Sequence, residues 1–138
     1  MYQTIIVPVA LTGHGGVGRG LVEQAHKLLD AGGTIVLLHV MEELPSYVAA
    51  TIPREQLSGR RKEVMRRLES LAAAARKDKV EIDIRSGNAP SSILESAEEH
   101  DADLIIVGSH TPGFSDYFIG STAARVVRHA QCSVLVIR

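Results

Sequence analysis

Apolar residues recur along this chain in two rhythms. From Thr4 to Val9, Thr34 to Val40, Leu104 to Val107 and Val134 to Ile137 they run almost unbroken and rich in β-branched types, as in strands buried on both faces. Val80 to Ile84 alternates apolar with polar side chains, which predicts an edge strand with one wet face. Between these runs the period lengthens to that of a helix. Leu21, Val22, Ala25, Leu28 and Leu29 share one face, and Val64, Leu68, Leu71, Ala72 and Ala75 another, with Arg and Lys opposite. Ile93, Leu94 and Ala97 mark a third helix, and a fourth follows Gly120-Ser121. Gly32-Gly33 is expected to stop the first helix, and Asn88 to cap the third. Gly13 to Gly20 reads as a glycine-rich connector, and Met41 to Pro53, which holds Pro45 and Pro53, as a long one.

The resulting order, β-α-β-α-β-α-β-α-β, has no internal repeat. Strands alternating with helices predict an α/β fold, a doubly wound parallel sheet with helices on both faces and right-handed crossovers. In such sheets ligands bind beyond the carboxyl ends of the strands, where the strand order reverses. The segments at that rim are Pro8 to Gly20, Val40 to Pro53, Ser86 to Pro90 and Gly108 to Gly120.

Composition narrows the function classes. At 138 residues, 45% of them hydrophobic, one domain spanning 1–138 with a substantial core is expected. Fifteen basic and 16 acidic residues give a net charge of -1, which argues against general affinity for nucleic acid or anionic membrane. Three Tyr, two Phe and no Trp leave little for a base-stacking surface. The single cysteine, Cys132, excludes an internal disulfide, suits a reducing cytoplasm, and reads as a small hydrophobe entering a buried strand. The N-terminus lacks a basic leader and carries Pro8 inside its apolar run, and no run is long enough for a membrane span. A cytoplasmic protein is therefore expected. Arg60, Arg61, Lys62, Arg66, Arg67 and Arg76, interleaved with Glu63 and Glu69, read as a solvated helix face.

Two glycine-bearing segments carry candidate chemistry. The first, GHGGVG (Gly13, Gly15, Gly18), fits the dinucleotide fingerprint G-x-G-x-x-G, with Glu42 and Glu43 after the second strand. Pro8 and the residues Ala10 to Thr12 separate the first strand from the first glycine, where the fingerprint needs a tight turn, so a rim loop is the better reading. The second segment is stronger. Gly108 permits a close backbone approach at the end of the fourth strand, and Ser109 and His110 add donors. Gly120 and Ser121 open a helix whose free amides and positive dipole end suit phosphate. At roughly 1.5–3 kcal/mol per charge-assisted hydrogen bond, three or four such bonds could hold a triphosphate without a lysine.

Other chemistries lack their residues. There is no G-x4-G-K-S/T phosphate loop and no G-x-S-x-G nucleophile turn. Six histidines occur, but none is spaced as a metal ligand with a cysteine or carboxylate partner. His39 reads as a packed, hydrogen-bonded side chain of the second strand. His110 is the histidine expected at the site, as a hydrogen-bond donor.

The C-terminal segment resembles the universal stress protein family, whose nucleotide-binding members carry G-x2-G-x9-G-S/T there. In this chain the pattern stands as Gly108, then Thr111 where a second glycine is usual, then Gly120-Ser121 after eight intervening residues. TIIVPVA, LLHV, SGNAPSSIL, DADLIIVGSH and GSTAARVVRHAQCSVLVIR extend the likeness over nearly the whole chain. The resemblance implies a Rossmann-like (flavodoxin-like) five-stranded sheet of order 3-2-1-4-5, a homodimer, and ATP or another adenine nucleotide at the rim, with Mg2+ as accompanying cation. Family contacts transfer to Pro8 and Val40 at the adenosine end, and to Gly108, Gly120 and Ser121 at the phosphates. With their neighbours Val9, Ala10, Ser109, His110, Thr111 and Thr122 these form the candidate nucleotide site. Ala10 stands where the family often has an acidic residue.

Three functions follow as expectations. The first is a small ATP-binding dimer in stress or metabolic regulation, acting on a protein partner the sequence does not name. Its dimer contact is expected at the C-terminal strand, an apolar edge open to a second copy. The second is a slow metal-dependent ATP hydrolase using His110, Ser121 or Asp116. The third is an interaction module without nucleotide.

Overall fold

The computed structural model describes residues 1–11, 16–42, 45–75, 78–109 and 120–138, with only the backbone of Gly16 and Val17. The elements are β1 (Tyr2–Pro8), α1 (Gly16–Leu28), β2 (Leu29–Met41), α2 (Ser46–Ala49), α3 (Arg54–Ala74), β3 (Lys79–Ser86), α4 (Ala89–Glu99), β4 (Leu104–Gly108), α5 (Ser121–His129) and β5 (Ser133–Ile137). The strands form one five-stranded sheet of order β3-β2-β1-β4-β5, and every pairing is parallel. The strand order reverses between β1 and β4, each of whose successors lies on the opposite side of it.

Both faces of the sheet are covered. On one, Ile5, Val7, Ile35, Leu37 and Ile106 pack under Leu21, Val22 and Ala25 of α1 and Leu68 and Leu71 of α3. On the other, Ile6, Val36, Leu38 and Ile105 pack under Ile93 and Ala97 of α4 and Ala123 and Val126 of α5. The unbroken apolar runs of β1, β2 and β4 are thus buried on both sides, as parallel strands between helices require, while that of the edge strand β5 is half-buried. β3 lies at an edge as its sequence predicts, but exposed and half-buried side chains alternate only from Lys79 to Ile82, and Asp83 and Arg85 are half-buried.

Three local expectations are corrected. The helix α1 starts at Gly16, inside the segment read as a connector. A Cβ on Gly18 would lie 3.1 Å from Val9 and 3.3 Å from Leu71, so α1 crosses β1 and α3 closely at a residue without one. The pair Gly32-Gly33 does not stop α1, which ends at Leu28 and runs straight into β2. Its place is a bulge, because the pairing of β1 with β2 jumps from Tyr2↔Leu29 to Thr4↔Thr34. Gly32 has φ +81°, and a Cβ on Gly33 would meet Leu29 Cδ1 at 2.6 Å and the Gln3 carbonyl oxygen at 2.8 Å. The connector after β2 contains the single turn α2, and α3 begins directly after Pro53.

Asn88 caps α4 as expected, its Oδ1 accepting from the Ser91 amide at 3.2 Å. At the β3 edge Arg85 bonds Asp83 at 2.8 Å and Glu99 at 2.5 Å, and Ser96 Oγ donates to Asp83 at 2.8 Å. These bonds, that to Glu99 first, hold the guanidinium above its ordinary pKa.

Candidate functional site

A cavity of about 940 Å³ opens over the carboxyl ends of the strands, across the β1–β4 switch point. Pro8, Val9, Ala10, Val40, Gly108 and Thr122, all expected at the site, line it. A groove of about 570 Å³ between the starts of α4 and α5 shares Glu42, Ala89 and Thr122 with it and adds Ser121 and Arg125. The cavity and the groove therefore adjoin at Glu42, Ala89 and Thr122, and the groove lies at the N-termini of α4 and α5.

The predicted residues play different parts around these two spaces. Val9 is buried and its backbone is fully engaged: its N–H donates to the Leu38 carbonyl at 2.7 Å, and its carbonyl accepts from His39. It supplies an apolar wall. Ala10 is exposed at the mouth. Gly108 is the exposed last residue of β4, opposite Ile137. Ser109 does not line the hollow. It is buried, and both its amide, at 2.9 Å, and its hydroxyl, at 3.5 Å, donate to the Ile137 carbonyl, so it tethers β4 to β5.

Gly120 caps α5 with φ +71° and ψ 147°, backbone angles that suit glycine. The point a Cβ would occupy lies 3.8 Å from the Ser109 carbonyl oxygen, so the exit of β4 and the start of α5 adjoin. The first intrahelical bond of α5 runs from the Ala124 amide to the Gly120 carbonyl at 3.0 Å. The amides of Ser121, Thr122 and Ala123 precede it and have no carbonyl of the helix to bond. His110, Thr111 and Asp116, like Gly13, His14, Gly15 and Glu43, lie outside the described residues.

The sequence reading missed several lining residues. Arg60 is exposed on α3 and lines the cavity, and Arg67 Nη1 donates to the Leu11 carbonyl at 2.6 Å. The basic stripe is therefore not wholly a solvated face. Two of its arginines turn to the rim, Arg60 to the cavity and Arg67 to the Leu11 carbonyl just beyond β1. His39 is hydrogen-bonded as expected, its Nδ1 2.7 Å from the Val9 carbonyl, yet it also lines the cavity. Glu42, at the end of β2, borders both spaces. Cys132 packs half-buried against the α4–α5 side of the core, and burial pushes its thiol above the ordinary pKa. Among the described residues there is no cluster of three or more His, Cys, Asp or Glu able to hold a metal ion, and no helix long and apolar enough to cross a membrane.

Comparison with known proteins agrees with this architecture. The model of the universal stress protein family matches residues 1–138. The chain belongs to the universal stress protein family. Among its relatives, universal stress protein G of Escherichia coli O157:H7 is 33% identical over 146 residues, covering 100% of both chains. In solved structures the fold recurs in hypothetical protein MJ0577, with a TM-score of 0.82 at 22% identity over 99% of this chain and 96% of that one. It recurs also in the universal stress protein from Archaeoglobus fulgidus in complex with dAMP, with a TM-score of 0.66 at 22% identity, covering 99% and 98%. Both structural likenesses concern the fold. The family membership rests on the match over the whole chain.

Proposed function

We propose that this universal stress protein binds an adenine nucleotide, with ATP as the leading candidate, in the hollow over β1, β2 and β4, and acts as a cytoplasmic regulatory dimer. The observation that carries the reading is the adjoining of Gly120 to the exit of β4 at the border of a large cavity on the switch point. A volume of about 940 Å³ falls within the range usual for small-molecule and cofactor sites. The nucleoside would lie against Pro8, Val9 and Val40. The phosphates would lie at the free amides of Ser121 and Thr122, where the helix dipole favours negative charge. Arg60 reaches the same cavity from α3 and adds a cation. The dAMP complex named for the Archaeoglobus fulgidus relative supports this class of ligand.

Binding would alter the surface the protein offers a partner. The test is calorimetry and thermal melting with ATP, ADP, AMP and cAMP, with Mg2+ present and absent. The expected result is saturable binding and a higher melting temperature, since a ligand that binds only the folded chain stabilises it. No heat and no shift at millimolar nucleotide would refute the reading. Phosphate release followed in the same samples reports whether bound ATP is turned over.

A further inference from the structure

We propose that His39 is the hydrogen-bond acceptor for the nucleoside in this cavity, accepting a hydrogen bond from a sugar hydroxyl or from the exocyclic amine of the base. The inference rests on the nucleotide reading above and adds a recognition residue to it.

The end of β1, where the nucleoside would lie, offers Pro8, Val9, Ala10 and Leu11 to the cavity, and none has a polar side chain. The backbone of Val9 is already spent on Leu38 and His39. His39 reaches the same place from β2. Its Nδ1 lies 2.7 Å from the Val9 carbonyl oxygen. A carbonyl accepts and never donates, so the proton of the neutral ring is fixed on Nδ1. Nε2 is then left with a lone pair. No hydrogen bond to Nε2 is found among the described residues, and no buried side-chain nitrogen or oxygen among them lacks a partner, so Nε2 is not sealed inside the protein. With His39 lining the cavity, that lone pair is available to a ligand there. One bond thus both anchors the ring and sets its chemistry: Val9 holds the donor side, and the acceptor side is presented ready-oriented. A preset acceptor favours ligands with a matching N–H or O–H, and a ligand lacking that donor would strand it.

The experiment pairs a variant with ligand analogues. His39→Asn keeps an amide donor near the Nδ1 position, and so the bond to Val9, while removing Nε2. Calorimetry is run on wild type and H39N with ATP, 2′-deoxy-ATP, 3′-deoxy-ATP and purine riboside triphosphate, which lacks the exocyclic amine. Wild type should bind one of these analogues about five- to tenfold more weakly than ATP, the loss of one neutral hydrogen bond. The analogue that loses affinity identifies the donor. H39N should bind ATP weaker by the same factor and no longer discriminate that analogue, which a merely structural role would not produce. Two-bond 1H–15N spectra of wild type provide a readout independent of the variant's folding. The His39 Nε2 resonance should be that of an unprotonated nitrogen and should move on ATP addition.

Equal wild-type affinity for all the analogues, an Nε2–H tautomer, or full ATP affinity with retained discrimination in H39N would overturn the inference while leaving nucleotide binding intact. Wild type that binds no nucleotide would instead bring down the reading beneath it.

Discussion

Gly33 and Gly59 are the same residue type in opposite surroundings, and substitution by alanine separates them. A Cβ on Gly33 would press Leu29 Cδ1 at 2.6 Å and the Gln3 carbonyl at 2.8 Å, inside the bulge that brings β2 against β1. Gly33→Ala should therefore destabilise by about 1–3 kcal/mol, as overpacking does. Gly59 lies within α3 with nothing inside 4 Å of its Cβ position. Gly59→Ala should stabilise by about 1 kcal/mol, because alanine loses less backbone freedom in a helix. Urea denaturation of both variants beside wild type reads the two signs. Which residues line the rim is legible by a similar logic of surroundings. Gly108 is marked by its place at a strand end, and Val40 by the family resemblance. His39, one step before Val40, reads in the sequence as a packed, hydrogen-bonded side chain, because composition does not show what a ring's second nitrogen faces. Arg60 was hidden for a related reason: a mixed charged helix face gives no sign in the sequence of which cation the fold turns toward the rim.

At the scale of elements, start signals with their own local chemistry were the readable ones. In SGNAPSSIL, Asn88 accepts from the Ser91 amide, Pro90 sits in the first turn, and Ile93 and Ala97 then face the core. Asn88→Ala should cost about 1 kcal/mol, the usual worth of an N-cap, and Asn88→Asp should keep most of it. The check is a denaturation midpoint that falls for the alanine variant without a change in slope, while that of the aspartate variant stays near wild type. A midpoint unchanged in the alanine variant would mean that packing of Ile93 and Ala97, not the cap, sets this end of α4. The start of α1 was not readable. Gly16, Gly18 and Gly20 argue against a helix by propensity, yet close contact with the Val9 and Leu71 side chains favours a residue without a Cβ at position 18. Tertiary packing there outweighs intrinsic preference. The same holds for Gly32-Gly33, whose composition fits a helix stop and a strand bulge equally well.

At the scale of the whole molecule the two edges of the sheet differ, and the difference argues for which one a second copy would use. The β3 edge carries Lys79, Glu81, Asp83 and Arg85, with Lys79 and Glu81 3.5 Å apart and Arg85 held between Asp83 and Glu99. Charges arranged in this way discourage pairing with another strand. The β5 edge reads Ser133, Val134, Leu135, Val136, Ile137, with its four apolar side chains half-buried and no charge before Arg138. The dimer proposed here should therefore form through β5. Light scattering on wild type should give a mass twice 14.9 kDa. Leu135→Lys, which sets a charge in that edge, should shift the mass toward 14.9 kDa with the far-UV spectrum retained. Val80→Lys, the matched change in β3, should leave it doubled. A wild-type mass of 14.9 kDa at micromolar concentration would remove the dimer from the proposed function. A doubled mass unmoved by Leu135→Lys would place the contact elsewhere than β5. Because Ser109 is tied to Ile137 and its carbonyl adjoins Gly120, a partner on β5 would also brace the start of α5. The monomeric variant should then bind nucleotide more weakly than the dimer, a coupling that titration of both species at fixed salt would read directly.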